Sequence, residues 1–385
     1  MSGARSFIRA LLPATASMLA RLALKRGRTS ALIAPMRPTA SRLENTGEKS
    51  MTGCIVRLAL AAMIAAPLAA RAEVSELKIP LGAGGFGFLP LHMMKKHNLI
   101  EKHAAEAGLK TTVNWANIGG PAAMNEALLS GSADFIAAGP PAFLILWDRT
   151  KGNANVKGVA AMSSIPMYLN TNADYVNSLE SFKEGEDKIA VTSVKVSIPS
   201  IIMQMYAKQK YGSAQTFRFD PLTVSMAHPD ATVILLAGRT EVKGHWASQP
   251  FHARERKDAK IRTVMTSNQV MGGDTTFTMV STTQKFHDEN PKLYAAFLAA
   301  LKESIDMILA DKRAAAQVLL ESMGGRGWSV DELADMLNDP DMKYTTMPEN
   351  VMKYAIFMHE IGTLKNLPAS ISELFFPEAD VAAGN

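Results

Sequence analysis

Three consecutive predicted strands each end in a turn of small, uncharged residues, and each turn leads into a predicted helix. The strands are expected at 77–81, 111–118 and 133–138, where short apolar or β-branched runs occur. The turns that follow them read GAGGFGF, IGGPAA and AAGPPAF. Strands that alternate with helices in this way indicate a parallel sheet with helices on its faces. We therefore predict an α/β fold.

A second group of predicted strands follows the first. We expect strands at 156–164, 187–193 and 260–267, and a helix at 197–210. The strand at 260–267 is interpreted as a return crossing from a second unit to the first. After residue 290 the chain is predicted to be almost entirely helical.

The first 72 residues are interpreted as a leader that the mature protein lacks. From Met51 the sequence has the parts of a signal peptide, with the positive Arg57, an apolar segment at 58–68 and a small-residue site that ends at Ala72. We expect cleavage after Ala72 and a mature protein in the periplasm. Residues 1–50 are interpreted as a spurious upstream extension, with Met51 as the initiator. A transit peptide is the alternative, because this segment is rich in Arg and Ser.

The formal net charge of +5 belongs to this leader. The leader holds 11 of the 41 Lys and Arg residues and 2 of the 36 Asp and Glu residues, so the rest of the chain has 30 basic and 34 acidic residues and a net charge of −4. No nucleic-acid partner is expected, since phosphate binding needs a basic surface. The one cysteine, Cys54, also lies in the leader. This excludes disulfides, thiolate metal sites and cysteine nucleophiles from the mature chain.

The first turn contains the G-x-G-x-x-G pattern of a dinucleotide site, at Gly82, Gly84 and Gly87. Such a site also needs an acidic residue at the end of the second strand to bind the ribose hydroxyls. The second strand here ends NWANIGG, without Asp or Glu. A dinucleotide-dependent oxidoreductase is therefore disfavoured. The glycines form either a plain strand-to-helix turn or part of another binding site.

A binding site is favoured because the pattern recurs along the chain. The carboxyl ends of strands line the ligand crevice of an open α/β sheet, and helix starts there present N–H groups that suit anionic or oxygen-rich ligands. A fourth turn, at 191–200, adds one charged side chain, Lys195. The expected ligand has an anionic or oxygen-rich head and an apolar body. The candidate ligand-binding residues are Gly84, Gly85, Phe86, Phe88, Gly119, Gly120, Pro121, Gly139, Pro140, Lys195, Val196 and Ser197.

The order of three longer segments resembles the periplasmic substrate-binding proteins of ABC importers, in the nitrate, sulfonate, taurine and thiamine-pyrimidine-precursor group. The segments are MNEALLSGSADFIAAGPP (124–141), DATVILLAGRTEVKGHWASQPF (230–251) and MPENVMKYAIFMHEIGTLKNLPASISELFFP (347–377). The chain departs from the family at 243–244, where Lys-Gly replaces the usual Asp-Ala, and at 249–250, where Gln-Pro replaces Glu-Pro. The identity of the solute therefore stays open.

The resemblance implies a type II periplasmic-binding-protein fold, with two α/β lobes joined by two crossing strands and a ligand cleft between them. Lobe 1 would comprise 73–164 and 265–385, and lobe 2 would comprise 165–264. Trp246 lies where the family places ligand contacts from the second lobe. The implied function is delivery of a sulfonate, carboxylate or pyrimidine-like solute to the permease and ATPase subunits of an ABC importer. The protein would act as a monomer, without catalytic residues, metal or cofactor.

An enzyme of the same fold is the main alternative. Thiamine-pyrimidine synthases resemble this family and use a cysteine-rich segment and a reactive histidine. The predicted mature chain has no cysteine and follows a signal peptide. Both features argue against that chemistry.

Four further residues have ordinary structural interpretations. His92, His97 and His103 are separated by five and six positions, so they do not share one helix face and are interpreted as surface residues rather than metal ligands. Asp134 follows a turn and is interpreted as a structural residue that closes it.

Overall fold

The computed structural model describes residues 72–82 and 84–381, so the leader lies outside the described residues except for Ala72. Strands and helices alternate up to residue 282, and helices dominate the remainder. The strands are β1 (Glu76–Pro80), β2 (Thr112–Ala116), β3 (Ile136–Ala138), β4 (Lys157–Ser164), β5 (Tyr168–Thr171), β6 (Lys188–Val191), β7 (Thr223–Ser225), β8 (Val242–Ala247), β9 (Arg262–Thr266) and β10 (Thr276–Thr282).

The helices of the first two thirds connect the strands, and those of the last third pack on one another and on the first helices. They are α1 (Leu89–His97), α2 (Leu99–Glu106), α3 (Pro121–Leu129), α4 (Pro140–Thr150), α5 (Ile198–Tyr211), α6 (His228–Ala237), α7 (Phe251–Arg256), α8 (Ser267–Met271), α9 (Gln284–Glu289), α10 (Pro291–Ala310), α11 (Lys312–Ser322), α12 (Val330–Leu337), α13 (Val351–Glu360) and α14 (Ile371–Leu374). Within the described ranges, none is both long and apolar enough to cross a membrane.

The first strands do not form the single parallel sheet that their alternation with helices predicts. β1 and β2 pair in parallel, but β3 and β4 both pair antiparallel with β10, which lies between them. Met279 of β10 is opposite Ala138 on one side and Ala161 on the other. The sheet is mixed because a strand from late in the chain returns and takes the central position. Pairing over that distance leaves no local trace in the sequence.

Asp134 joins β1 to the segment before β3. Its Oδ2 accepts a hydrogen bond from the Lys78 N–H at 2.8 Å, and its own N–H donates to the Lys78 carbonyl at 2.9 Å. These two bonds replace a strand ladder between β1 and β3. A structural role for Asp134 agrees with this geometry.

A second sheet contains the other strands, in the order β7-β6-β8-β5-β9. β6 is parallel to β7 and β8, whereas β5 is antiparallel to β8 and β9. The lobe boundaries at 164/165 and 264/265 stay a prediction. β4 ends at Ser164, and β9 spans 262–266.

The long helix α10 covers the first helices. It packs on α1 and α2, and it buries an apolar face that includes Leu293, Phe297 and Leu301. The Phe297 ring stacks on Phe135 with ring centroids 4.0 Å apart. This packing anchors the helical remainder of the chain to the segment just before β3.

Candidate ligand-binding cleft

Four helices begin at one cleft. Its lining includes Gly120 and Pro121 at α3, Gly139 at α4, Ser197 to Pro199 at α5, and His228 at α6. Each of these helices has proline in its first two positions, where the fixed φ of proline suits a helix start. The residue before each helix makes no side-chain capping hydrogen bond. The first-turn N–H groups that remain are therefore open to a ligand, and the helix dipoles favour negative charge.

The wall of the cleft is mostly apolar. Phe88, Met124, Met167 and Phe277 contribute large side chains, and the cleft contains about 580 Å³ of empty space, part of it open to solvent. None of the described lining residues is Lys, Arg, Asp or Glu. An anionic head group would therefore be held by backbone N–H groups and neutral side chains, and the apolar wall suits an apolar body.

Two of the lining hydroxyls are already engaged within the protein. Thr278 Oγ1 donates to the Gly87 carbonyl at 2.6 Å, and Ser197 Oγ donates to the Ser193 carbonyl at 2.6 Å. Ser197 thus uses its hydroxyl on the preceding turn and leaves the start of α5 uncapped. Thr192 and Ser248 also line the cleft, and their hydroxyls have no hydrogen bond to another described side chain.

His228 is the titratable side chain among the described lining residues. It is the first residue of α6, and its Nδ1 lies 2.9 Å from Nε2 of His245. Burial, followed by the neighbouring His245 ring, lowers the pKa of His228 well below its ordinary value. His228 therefore presents a neutral imidazole to the cleft at neutral pH.

The glycine-rich first turn serves close packing. A Cβ at Gly87 would lie 2.2 Å from the Phe277 ring, and one at Gly82 would lie 2.3 Å from the Phe88 ring. Gly85 has a φ of +85°, and a Cβ there would lie 3.0 Å from the Gln249 carbonyl oxygen. The glycines let both phenylalanine rings and a loop after β8 approach the backbone. This is a different use from the phosphate cradle of a dinucleotide site.

Seven of the predicted ligand-binding residues line the cleft. The structure brings the ends of four separate segments together at this point, as the recurring turns predict. Contact with a ligand itself stays a prediction. The seven are Gly84, Phe88, Gly120, Pro121, Gly139, Val196 and Ser197.

The other six predicted residues do not line the cleft. Phe86 and Trp246 are fully buried in the core, and the Phe86 backbone is bonded to Gln249 and Tyr344. Lys195 is exposed. Burial raises the pKa of the Asp220 carboxyl, and the positive charge of Lys195 acts in the opposite direction. The remaining three are next to lining residues in the sequence but do not line the cleft themselves: Gly85, Gly119 and Pro140.

The sequence analysis does not predict that His228 and Ser248 line the cleft, and these are its two most important omissions. A signal for His228 was present, because His228-Pro229 follows the strand β7 just as other prolines follow β2 and β3. Ser248 follows β8 directly. The other missed lining residues are Met124, Ala137, Ala138, Ala142, Met167, Thr192, Ile198, Pro199, Phe277 and Thr278.

The three histidines predicted to lie on the surface have no common partner among the described residues, and the prediction is wrong for His92, which is half-buried with its Nε2 enclosed. His103 contacts Glu106 and Glu303, at 2.9 and 2.6 Å, and His97 is exposed. Among residues 72–82 and 84–381, no group of three or more His, Cys, Asp or Glu side chains is arranged to hold a metal ion.

Comparison with known proteins identifies the fold. No protein-family model matches the chain, and no curated protein sequence matches it. Solved structures do match. The alkanesulfonate-binding protein SsuA from Xanthomonas axonopodis pv. citri, bound to MOPS, has a TM-score of 0.59 and 15% identity, over 79% of this chain and 97% of that chain.

Two more structures agree with that match. The periplasmic aliphatic sulphonate-binding protein SsuA from Escherichia coli has a TM-score of 0.53 and 14% identity, over 81% of this chain and 95% of that chain. A Candida albicans gene product with the generic periplasmic binding protein fold has a TM-score of 0.57 and 12% identity, over 81% of this chain and 99% of that chain. The predicted two-lobe periplasmic-binding-protein fold is confirmed.

Proposed function

We propose that the protein is an extracytoplasmic solute-binding protein that delivers a small organic or anionic solute to an ABC importer. One observation carries the proposal: four uncapped helix starts meet at a single apolar cleft whose described lining has no ionised side chain. Binding of a small oxyanion is what such an arrangement does best. The fold is also that of solved sulfonate-binding proteins and of the ligand-binding component of an ABC-type import system.

The expected ligand class follows from two features of the site, the helix starts and the apolar wall. The helix starts favour a sulfonate, carboxylate or other oxygen-rich head, because their N–H groups point outward and the dipoles favour negative charge. Phe88, Met124 and Phe277 favour an apolar body. Seven predicted residues, from Gly84 to Ser197, together with His228 and Ser248, form the proposed ligand-binding set.

The proposed location and partners rest on the sequence. The signal-peptide pattern at 51–72 supports export and cleavage after Ala72. The permease and ATPase subunits of an importer would be the partners, and the protein would act as a monomer without a catalytic role. Amino-terminal sequencing of the exported protein tests the processing step, which predicts Glu73 as the first residue. A mature start upstream of Met51 would contradict it.

A thermal-shift screen tests the function. At a concentration of about 100 times Kd, a bound ligand stabilises the folded state by roughly 2.7 kcal/mol, which raises the melting temperature by several degrees. The panel contains sulfonates, carboxylates, pyrimidine-like compounds, nitrate, amines, sugars, NAD, NADP and FAD. We expect sulfonates, carboxylates or pyrimidine-like compounds to raise the melting temperature. Stabilisation by a polyamine alone would contradict the anion site, and saturable NAD or FAD binding would revive the oxidoreductase alternative.

A further inference from the structure

A buried row of three titratable side chains ends at the cleft. Glu255 Oε1 lies 2.5 Å from His245 Nδ1, and His245 Nε2 lies 2.9 Å from His228 Nδ1. Glu255 and His245 are completely buried, and His228 is 4% exposed. Only His228 lines the cleft. We call this row the Glu255–His245–His228 chain.

The hydrogen bonds around Glu255 determine which atoms of the row donate and which accept. Glu255 Oε2 accepts from Asn170 Nδ2 at 2.7 Å, and Oε1 accepts from Thr232 Oγ1 at 2.9 Å. The Asn170 amide is held in this orientation because its Oδ1 accepts from Thr263 Oγ1 at 2.7 Å. The carboxylate therefore acts as an acceptor on every side.

The tautomers follow by counting donors. An ionised Glu255 can only accept, so His245 Nδ1 must carry a hydrogen. A neutral His245 then has a bare Nε2, which accepts from His228 Nδ1. A neutral His228 whose Nδ1 carries the hydrogen has a bare Nε2. No described group bonds that atom, and it is not among the fully buried unpaired atoms, so it is open to the cleft as an acceptor.

One added proton changes the cleft end of the chain from a hydrogen-bond acceptor to a hydrogen-bond donor. The proton can sit on Glu255, on His245 or on His228, and in each case the donors and acceptors along the row place a hydrogen on His228 Nε2. The net charge of the chain changes from −1 to 0 at the same step. An oxyanion in the cleft needs a donor at this position, because two facing acceptors repel.

The described groups that face the chain are mostly neutral at neutral pH. Burial lowers the pKa of His228 well below normal, and it lowers the pKa of the neighbouring His252 to about 4. Arg256 is the nearby cation, on the same helix as Glu255 and His252. The neighbours on β5 and α6 are the neutral Asn170 and Thr232, and the described cleft lining opposite is uncharged.

We propose that the Glu255–His245–His228 chain makes oxyanion binding proton-linked: one proton from solvent enters the chain as the anion binds, and His228 Nε2 changes from acceptor to donor. The oxyanion part of this inference rests on the proposed function. Affinity for an anion then falls about tenfold per pH unit once the free protein has lost that proton, since ligand and proton bind together.

Nitrogen NMR of the ligand-free protein tests the chain without any ligand. With ¹⁵N-labelled histidine, the spectrum at pH 7.5 is expected to show His228 with a bare Nε2 and a hydrogen on Nδ1. Acid titration is expected to place a hydrogen on that Nε2 in the same step in which the Glu255–His245–His228 chain takes up its one proton. A His228 Nε2 that already carries hydrogen at pH 7.5, or one whose change leaves the His245 nitrogen signals unaffected, would overturn the inference.

Calorimetry with 1-butanesulfonate tests the link to binding. In buffers of different ionisation enthalpy at pH 7.5, wild-type protein is expected to take up about one proton per bound sulfonate. H228Q, whose amide can donate without a proton, is expected to take up none, and H97Q at an exposed site is expected to match wild type. Tight sulfonate binding without proton uptake would refute the link. Absence of sulfonate binding would count against the proposed function, while the NMR titration still decides the inference.

Discussion

Gly139, the residue before α4, lies against the side chain of Ile198, the first residue of α5. A Cβ at Gly139 would lie 2.8 Å from Cδ1 of Ile198 and 3.2 Å from the Phe277 carbonyl oxygen. Two helix starts from different parts of the chain thus meet across the cleft, and only a hydrogen atom fits between them.

Gly139→Ala is therefore expected to weaken ligand binding. The added methyl group must displace Ile198, which lines the cleft, whereas the backbone conformation at Gly139 suits alanine. We expect about tenfold weaker affinity, or about 1.4 kcal/mol, by calorimetry with the best compound of the screen. Gly119→Ala is the matched control, because a Cβ there meets no atom within 4 Å. Equal affinities for the two variants would contradict the role of this contact.

Gly87→Ala is expected to lower both stability and affinity. A Cβ at Gly87 would overlap the Phe277 ring and lie 3.2 Å from Cγ2 of Thr278, so the ring, which lines the cleft, must move. Overpacking of this kind costs about 1–3 kcal/mol in the free energy of unfolding. Urea denaturation measures the loss, again with Gly119→Ala as the control. An unchanged midpoint would show that Phe277 has room to move.

Asp134→Ala is expected to lower stability by about 1 kcal/mol without changing ligand affinity. The substitution removes the acceptor of the Lys78 N–H, and Asp134 is not itself a lining residue of the cleft. Asp134→Asn keeps an acceptor oxygen and is expected to lose less. A change in affinity larger than the change in stability would show that the bridge also shapes the cleft.

Stability is expected to fall between pH 6.5 and about pH 4. Burial lowers the pKa of both His92 and His252 to about 4, so the unfolded chain takes up protons in this range that the folded chain does not. More protons on the unfolded state mean that the free energy of unfolding decreases as pH falls. Urea denaturation from pH 7 to pH 4 measures the slope, and His92→Gln with His252→Gln is expected to flatten it. A slope unchanged by both substitutions would contradict this assignment.

Much of the site could be predicted because helix starts leave local signals. Gly120-Pro121 and Gly139-Pro140 each combine a strand-ending glycine with a proline that begins a helix. The pattern His228-Pro229 is of the same kind, but the apolar segment that follows it has no helical periodicity strong enough to separate α6 from β8 in the sequence.

The rest could not be predicted because it depends on which face of a strand or turn meets the cleft. Almost all of β8 is buried on both faces. Alternation in the sequence therefore does not tell whether His245 or Trp246 lies on the face next to Glu255. In the structure His245 joins Glu255 and His228, while Trp246 enters the core. The antiparallel position of β10 between β3 and β4 is likewise set by pairing across more than a hundred residues.

The central claim is that a small oxyanion binds where α3, α4, α5 and α6 begin. Diffraction from crystals grown with the oxyanion that most raises the melting temperature tests it most directly. We expect the head group within hydrogen-bonding distance of first-turn N–H groups and of His228 Nε2, with its apolar part against Phe88 and Phe277. Density for the ligand anywhere else, or an empty cleft at saturating concentration, would contradict the account.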